Sequence, residues 1–228
     1  MKAAWSRLIA FGFRLLYNEL AWLYDAVSWV VSRGLWRRWQ QTALAYVPPG
    51  ARVLEVGFGP GHLLVDLAGA GHRPVGLDIS PAMLRLARRR LRGQQPGAAL
   101  CRGKAQHLPF AGEAFDAVIL TFPTPFVYDP LWLANLWRVL RAPQEDRPGG
   151  RLVVVHVATF AGNGPLDRFL EWLFQITGQR AHPTNQAGHS LSLRPLLAAQ
   201  GFRAWRETVP VEGTEVHLIL AEKVATGD

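Results

Sequence analysis

The sequence predicts an α/β fold built on a mostly parallel sheet, and three observations support this prediction. An apolar, β-branched run at residues 53–56 leads into a turn with alternating glycines and then into an apolar run typical of a helix. Further strand-like runs follow at spacings that leave room for helices between them, as in βαβ units. The chain has 228 residues with 49% hydrophobic content, which suits one such domain with small additions.

The first turn contains an acidic residue and three glycines in the pattern E-x-G-x-G-x-G, from Glu55 to Gly61. Glycine accepts the unusual backbone angles of a tight turn and lets a ligand touch the main chain. The helix that begins after Gly61 presents free N–H groups beside the turn. Because dinucleotide sites use a related pattern, the turn does not identify its ligand by itself.

The second strand-like run ends in a carboxylate, Asp78. A carboxylate at the tip of a second strand can accept hydrogen bonds from both ribose hydroxyls of a nucleoside. Ser80 is a good N-cap and Pro81 suits the first helical position, so a helix is expected to begin there. The two segments together therefore predict a ligand that contains a nucleoside.

Three more segments continue the alternation. Residues 105–110 read A-x-x-L-P-F and follow a third strand, and residues 115–123 read as a fourth strand and its exit. Residues 136–141 and 148–155, separated by an insertion, read as a helix end, a turn and a fifth strand. Residues 202–209 and 215–221 read as closing antiparallel strands.

In this order, the segments between about residues 50 and 160 resemble the motifs of the class I S-adenosylmethionine (SAM)-dependent methyltransferases. The resemblance implies a doubly wound, seven-stranded, mostly parallel Rossmann-like sheet with an antiparallel last strand. It also implies a transferase with SAM as cofactor and S-adenosylhomocysteine as product. Lys104 stands where that family usually has an aspartate. That aspartate accepts a hydrogen bond from the adenine amino group, and a lysine cannot accept one.

The resemblance also implies which residues hold the cofactor. Glu55 and the glycine backbone would hold its methionine end, Asp78 would bind its ribose, and Ile79, Ala105 and Leu108 would flank its adenine. The full expected set is Glu55, Gly57, Phe58, Gly59, Gly61, His62, Asp78, Ile79, Met83, Lys104, Ala105, Gln106 and Thr121.

The first 46 residues have their own composition, with five of the nine tryptophans and apolar residues at helical spacing. We expect two or three amphipathic helices here, forming a lid (1–46) on a methyltransferase domain (47–228) that carries a helical cap insertion at about 160–190. Tyr24 and Asp25 resemble the Tyr-Asp pair of the ubiquinone/menaquinone-biosynthesis type, in which the tyrosine lies by the cofactor. The same helices could instead dock on a membrane or form a dimer surface.

Neither a membrane span nor a convincing signal peptide is expected, because no apolar run approaches the roughly 20 residues that a span needs. One cysteine excludes an internal disulfide and fits a reducing compartment. We therefore expect a cytoplasmic protein, with peripheral contact at the inner face of the membrane left open. Both a monomer and a homodimer are compatible with the sequence.

Methyl transfer from a sulfonium is an in-line displacement, in which the protein mainly aligns the acceptor and excludes water. A general base is needed only if the acceptor must lose a proton. His156, near the end of the fifth strand, is the predicted base, with Tyr24 as an alternative from the lid. Residues expected to contact the substrate are Tyr17, Trp22, Phe122 and Phe160.

The predicted acceptor is an apolar small molecule: a quinone precursor, a lipid or an aromatic metabolite. The net charge of +8 would suit an anionic partner. Nucleic acid is nevertheless disfavoured, because Thr121 to Thr124 lack the N-P-P-Y type motif of amino-methylating enzymes. An RNA-directed methyltransferase and a catalytically degenerate scaffold remain the alternatives, and no metal-ligand spacing is visible.

Overall fold

A computed structural model describes residues 24–93, 97–160 and 193–225. Its strands are β1 (Arg52–Val56), β2 (Arg73–Asp78), β3 (Ala99–Arg102), β4 (Ala117–Thr121), β5 (Arg151–Phe160), β6 (Phe202–Val211) and β7 (Thr214–Lys223). They form one sheet in the order β3-β2-β1-β4-β5-β7-β6. Strands β1 to β5 pair in parallel, and β7 runs antiparallel to β5 and β6. The predicted doubly wound sheet with an antiparallel last strand is confirmed.

Helices cover both faces of this sheet. Those in the described ranges are α1 (Tyr24–Ser32), α2 (Trp36–Gln41), α3 (His62–Gly69), α4 (Pro81–Arg90), α5 (Pro130–Val139) and α6 (Leu193–Ala199). Helix α4 begins as its sequence predicts, because the Ser80 hydroxyl accepts a hydrogen bond from the Met83 N–H at 3.3 Å. Asp129 caps α5 in the same way through the Leu131 N–H.

The two faces of the sheet have separate apolar cores. On one face, α5 and α6 pack against alternate residues of β4, β5 and β7. On the other face, Trp36 and Trp39 of α2 pack with α3 against Val53 and Ile119. Trp39 is fully buried, and its indole N–H donates to the Thr214 hydroxyl at 2.9 Å. Helix α2 therefore completes the core of the sheet, and the domain boundary at residues 46–47 stays a prediction.

The parallel strands bring the candidate residues to one edge of the sheet. Glu55 lies in register with Gly76 of β2 on one side and Ile119 of β4 on the other. The carboxyl ends of β1, β2 and β4 therefore meet where the glycine turn leaves β1, which is the usual ligand site of an open α/β sheet.

Candidate active site

The glycine turn has an open side and a closed side. Gly57, Gly59 and Gly61 all have positive φ, at 75°, 53° and 83°. A Cβ atom at Gly57 or Gly59 would meet nothing within 4 Å, whereas one at Gly61 would lie 2.8 Å from the Ala87 Cβ of α4. The turn thus packs tightly on α4 through Gly61, whereas there is space beside the Cα atoms of Gly57 and Gly59, whose N–H groups already donate to Leu77 and Asp78.

Glu55 lies beneath this turn and is only 1% exposed. Neither of its carboxyl oxygens has a hydrogen-bond partner within the described part of the chain. Burial raises the pKa of Glu55 well above its usual range, and the charges of Asp78 and Asp66 raise it further. A buried carboxyl without partners is costly, and a cationic ligand group would relieve that cost. The ammonium of the methionine end of SAM fits this requirement.

Asp78 connects β2 to the glycine turn. Its Oδ2 accepts from the Gly59 N–H at 3.0 Å, and its Oδ1 accepts from the Ser80 N–H at 2.8 Å. Burial raises the pKa of Asp78, while the N–H groups of Ser80 and Gly59 lower it. Because each carboxylate oxygen can accept a second hydrogen bond, both remain able to bind ribose hydroxyls.

The expected adenine residues lie beside Asp78. Ile79 is 58% exposed between two buried neighbours, which leaves an apolar side chain available for stacking. The loop after β3 runs alongside, since the Gly103 N–H donates to the Asp78 carbonyl at 3.1 Å. In this loop Lys104 is exposed, whereas Ala105 and Gln106 are partly buried.

Three expected cofactor residues have partners inside the protein. Phe58 and Met83 are buried together in an apolar cluster between the turn and α4. His62 Nε2 lies 3.0 Å from Oδ1 of Asp25 in α1. A direct contact of these side chains with the cofactor stays a prediction.

The exit from β4 is lined by aromatic rings and one unusual backbone position. Phe122 has a φ of 49°, which is rare for a bulky residue and costs energy. Its ring centroid lies 4.4 Å from that of Trp36. The Gln40 side-chain amide donates to the Thr121 hydroxyl at 3.0 Å. Sequence reasoning missed Trp36 and Gln40, for which helical spacing was the only signal.

His156 occupies a β-bulge. The pairing of β5 with β7 shifts between Val155 and Val157, so His156 is the extra residue of β5. Burial lowers the pKa of His156, and the charges of Arg206 and His217 lower it further, so the ring is a neutral proton acceptor near pH 7. The Val155 carbonyl accepts from the Phe122 N–H at 2.8 Å, which brings the bulge beside the exit from β4.

Some predicted positions cannot be placed. Tyr17, Trp22 and the helical cap predicted at about 160–190 lie outside the described residues, except that Phe160 ends β5. Tyr24 begins α1, and only its backbone and that of Phe160 are described.

Comparison with known proteins identifies the family. Residues 53–143 match the family described as a methyltransferase domain. The chain is 37% identical to a demethylmenaquinone methyltransferase of Renibacterium salmoninarum, over 83% of this chain and 76% of that protein. It is 35% identical to one from Thermobifida fusca, over 71% and 67% of the two chains.

A solved structure supports the fold. A SAM-dependent methyltransferase from Methanosarcina mazei aligns with a TM-score of 0.54 over 81% of this chain and 98% of that chain. Its sequence identity of 22% supports the fold alone. The relatives, the matched domain and the cradle beneath which Glu55 lies together show that this chain is an enzyme that uses SAM, and it belongs to the SAM-dependent methyltransferase family that includes the demethylmenaquinone methyltransferases.

Proposed function

We propose that the enzyme methylates an apolar small molecule, with a quinone precursor as the leading class and a lipid or aromatic metabolite as alternatives. The observation that carries this proposal is the aromatic pair of Trp36 and Phe122 at the exit from β4, beside the cofactor cradle. Two aromatic rings in contact at this edge, tilted by 31° to each other, suit a flat, apolar acceptor. Relatives named demethylmenaquinone methyltransferase act on such a compound.

Within this proposal the cofactor supplies an activated methyl group, and the chain's own residues do the positioning. Glu55 and the main chain at Gly57 and Gly59 bind the methionine end. Asp78 binds the ribose and so sets the position of the cofactor along the sheet edge. The partly buried Phe122 ring, backed by the buried Trp36, excludes water and orients the acceptor for in-line attack.

We propose His156 as the general base for an acceptor that must lose a proton. The low pKa of its ring keeps it neutral, and the β-bulge separates it from the regular pairing of β5. Tyr24, at the start of α1, is the alternative base from the lid.

We also propose that the lid docks on the inner face of the cytoplasmic membrane, from which an apolar acceptor would enter. Helix α1 turns Ser32 inward, whereas Val27, Trp29 and Val30 are exposed, Trp29 by 65%. Tryptophan at an exposed apolar face suits a membrane interface. No helix in residues 24–93, 97–160 or 193–225 is long and apolar enough to cross a bilayer. A homodimer that covers this face is the competing arrangement.

The test is a methyl-transfer assay with isotopically labelled SAM and a panel of demethylated quinones, simple phenols and lipid amines. Transfer to the quinone class, weakened by Phe122→Ala without loss of SAM affinity, is the expected result. Transfer to the other two classes with none to any quinone would refute the leading assignment. A matched control is Phe126→Ala, which changes a ring of the T-shaped pair with Trp132 in the core on the other face of the sheet.

A further inference from the structure

One side chain of α1, that of Asp25, contacts two residues beside the glycine turn. Asp25 Oδ1 lies 3.0 Å from His62 Nε2, and Asp25 Oδ2 accepts from Arg90 Nη2 at 2.6 Å. The same guanidinium donates through Nη1 to the carbonyl of Pro60 in the glycine turn. We call the contacts among Asp25, His62, Arg90 and Pro60 the latch.

The latch connects both segments that form the cofactor cradle. Pro60 and His62 flank Gly61 at the end of the glycine turn, and Arg90 ends α4, the helix that begins just after Asp78. The turn and α4 are already in tight contact, since a Cβ at Gly61 would lie 3.1 Å from the Ala87 Cα. A displacement of Asp25 would therefore alter the contacts of the turn and of α4 together.

Helix α1 has few other polar anchors to this region. Its Ser28 and Ser32 hydroxyls donate to the carbonyls of Asp25 and Ser28, within the helix itself. The side chains of Val27 and Trp29 are 41% and 65% exposed. Among the described side chains of α1, Asp25 is the one connected to the glycine turn, through Arg90 and its hydrogen bond to the Pro60 carbonyl. An element held this way sits at the low end of local stability, so a single contact can decide its position.

The carboxylate of the latch is ionised over the working pH range. The hydrogen bond from His62 lowers the pKa of Asp25, partial burial opposes this, and the charges of His62 and Arg90 lower it further. A charge-assisted contact with two donors is stronger than a neutral one. The bidentate acceptor geometry also fixes the direction of α1, because both oxygens are used.

We propose that Asp25 is a positioning residue whose latch couples closure of α1 over the active site to cofactor binding. The coupling rests on the proposed function, because it requires SAM to occupy the glycine turn. A latched α1 holds the turn in its binding conformation, and a bound cofactor in turn holds α1 closed. By linkage the two effects are equal in size.

The experiment replaces Asp25 by the amide of the same shape, Asp25→Asn, in the full-length chain. The matched control is Glu212→Gln, which removes the carboxylate from another exposed ion pair of the N-terminal helices, the one with Arg38 of α2. Glu212 lies in the turn between β6 and β7, and its ion pair with Arg38 does not involve the glycine turn. SAM affinity is measured by calorimetry, and backbone hydrogen exchange of residues 24–35 by mass spectrometry, with and without SAM.

We expect Asp25→Asn to weaken SAM binding about tenfold and Glu212→Gln to leave it unchanged. Amide exchange in residues 24–35 should speed up about tenfold in Asp25→Asn without SAM. Addition of SAM should slow this exchange in the wild type. Arg90→Gln should cost less SAM affinity in the Asp25→Asn background than in the wild type, because only the Arg90–Pro60 contact of the latch then remains to be lost.

The outcomes separate the latch from the proposed function. Unchanged exchange in Asp25→Asn without SAM would overturn the latch, whether or not the protein binds cofactor. Faster exchange with an unchanged SAM dissociation constant would overturn the coupling. A wild-type protein that binds no SAM would instead contradict the proposed function, and the exchange measured without cofactor would still decide whether the latch exists.

Discussion

The cofactor-binding and acceptor-binding halves of the candidate active site are made of different groups. The cofactor half consists of main chain and two buried carboxyls, Glu55 and Asp78, held by a glycine turn that packs tightly on α4. The proposed acceptor half consists of rings from separate elements: Phe122, backed by the buried Trp36, and His156. Backbone and buried charge suit a ligand that never changes, whereas side chains on separate elements can change with the acceptor. Variants in the two halves should therefore affect different steps.

The largest effect is expected for the acceptor half. If His156 is the base, His156→Gln should lower the methyl-transfer rate about 10²-fold or more, because general-base catalysis contributes that much. Its SAM dissociation constant should stay at the wild-type value. The measurement is single-turnover transfer at saturating SAM.

His107→Gln, at an exposed histidine in the loop after β3, is the matched control and should leave the rate intact. Unchanged turnover in His156→Gln would remove this histidine as base and leave Tyr24 as the candidate.

Asp78→Ala, in contrast, should weaken SAM binding. Loss of a charged acceptor for two ribose hydroxyls should cost about 2–4 kcal/mol of SAM binding. Asp129→Ala is the control, since this carboxylate also accepts a main-chain N–H but at the start of α5. Calorimetry that finds the two variants equal in SAM affinity would break the ribose assignment.

A glycine pair sharpens the contrast between the open and closed sides of the turn. Gly61→Ala should lower the free energy of unfolding by about 2–4 kcal/mol, because the new Cβ is strained at positive φ and meets Ala87. Gly57→Ala should cost only the strain, about 1–2 kcal/mol, because nothing lies near its Cβ. Urea unfolding measures both, and equal losses would show that packing on α4 is unimportant.

The smallest effect is a pH dependence in the protein without cofactor. The pKa of Glu55 in the folded protein is raised well above its ordinary value of 4.5. At pH values between 4.5 and this raised pKa, Glu55 keeps a proton in the folded state that it has lost in the unfolded state. The free energy of unfolding therefore falls as pH rises through this window. Glu55→Gln should remove up to about 1.4 kcal/mol per pH unit of this slope. The free energy of unfolding is measured with denaturant from pH 4.5 upward. If it changes with pH equally in the wild type and in Glu55→Gln, Glu55 has no raised pKa in the folded protein.

The cofactor half could be predicted from the sequence because its requirements are local. The acidic residue, the three glycines, Asp78 and the Ser80 cap are each fixed by the backbone within a few residues, and the doubly wound sheet is implied by the resemblance that these segments carry. The strained Phe122, the bulge at His156 and the latch depend on contacts between residues distant in the chain. No local pattern marks them: an aspartate in an amphipathic helix gives no sign that it reaches His62 and Arg90.

The central claim is that SAM binds in the glycine turn with its ammonium over Glu55, and calorimetric titration in two buffers of different ionisation enthalpy tests it most directly. Micromolar binding of SAM and S-adenosylhomocysteine is predicted. Near the raised pKa of Glu55, proton release should accompany binding in the wild type and be reduced in Glu55→Gln. Absence of binding at millimolar cofactor, or proton release that the variant leaves unchanged, would contradict it.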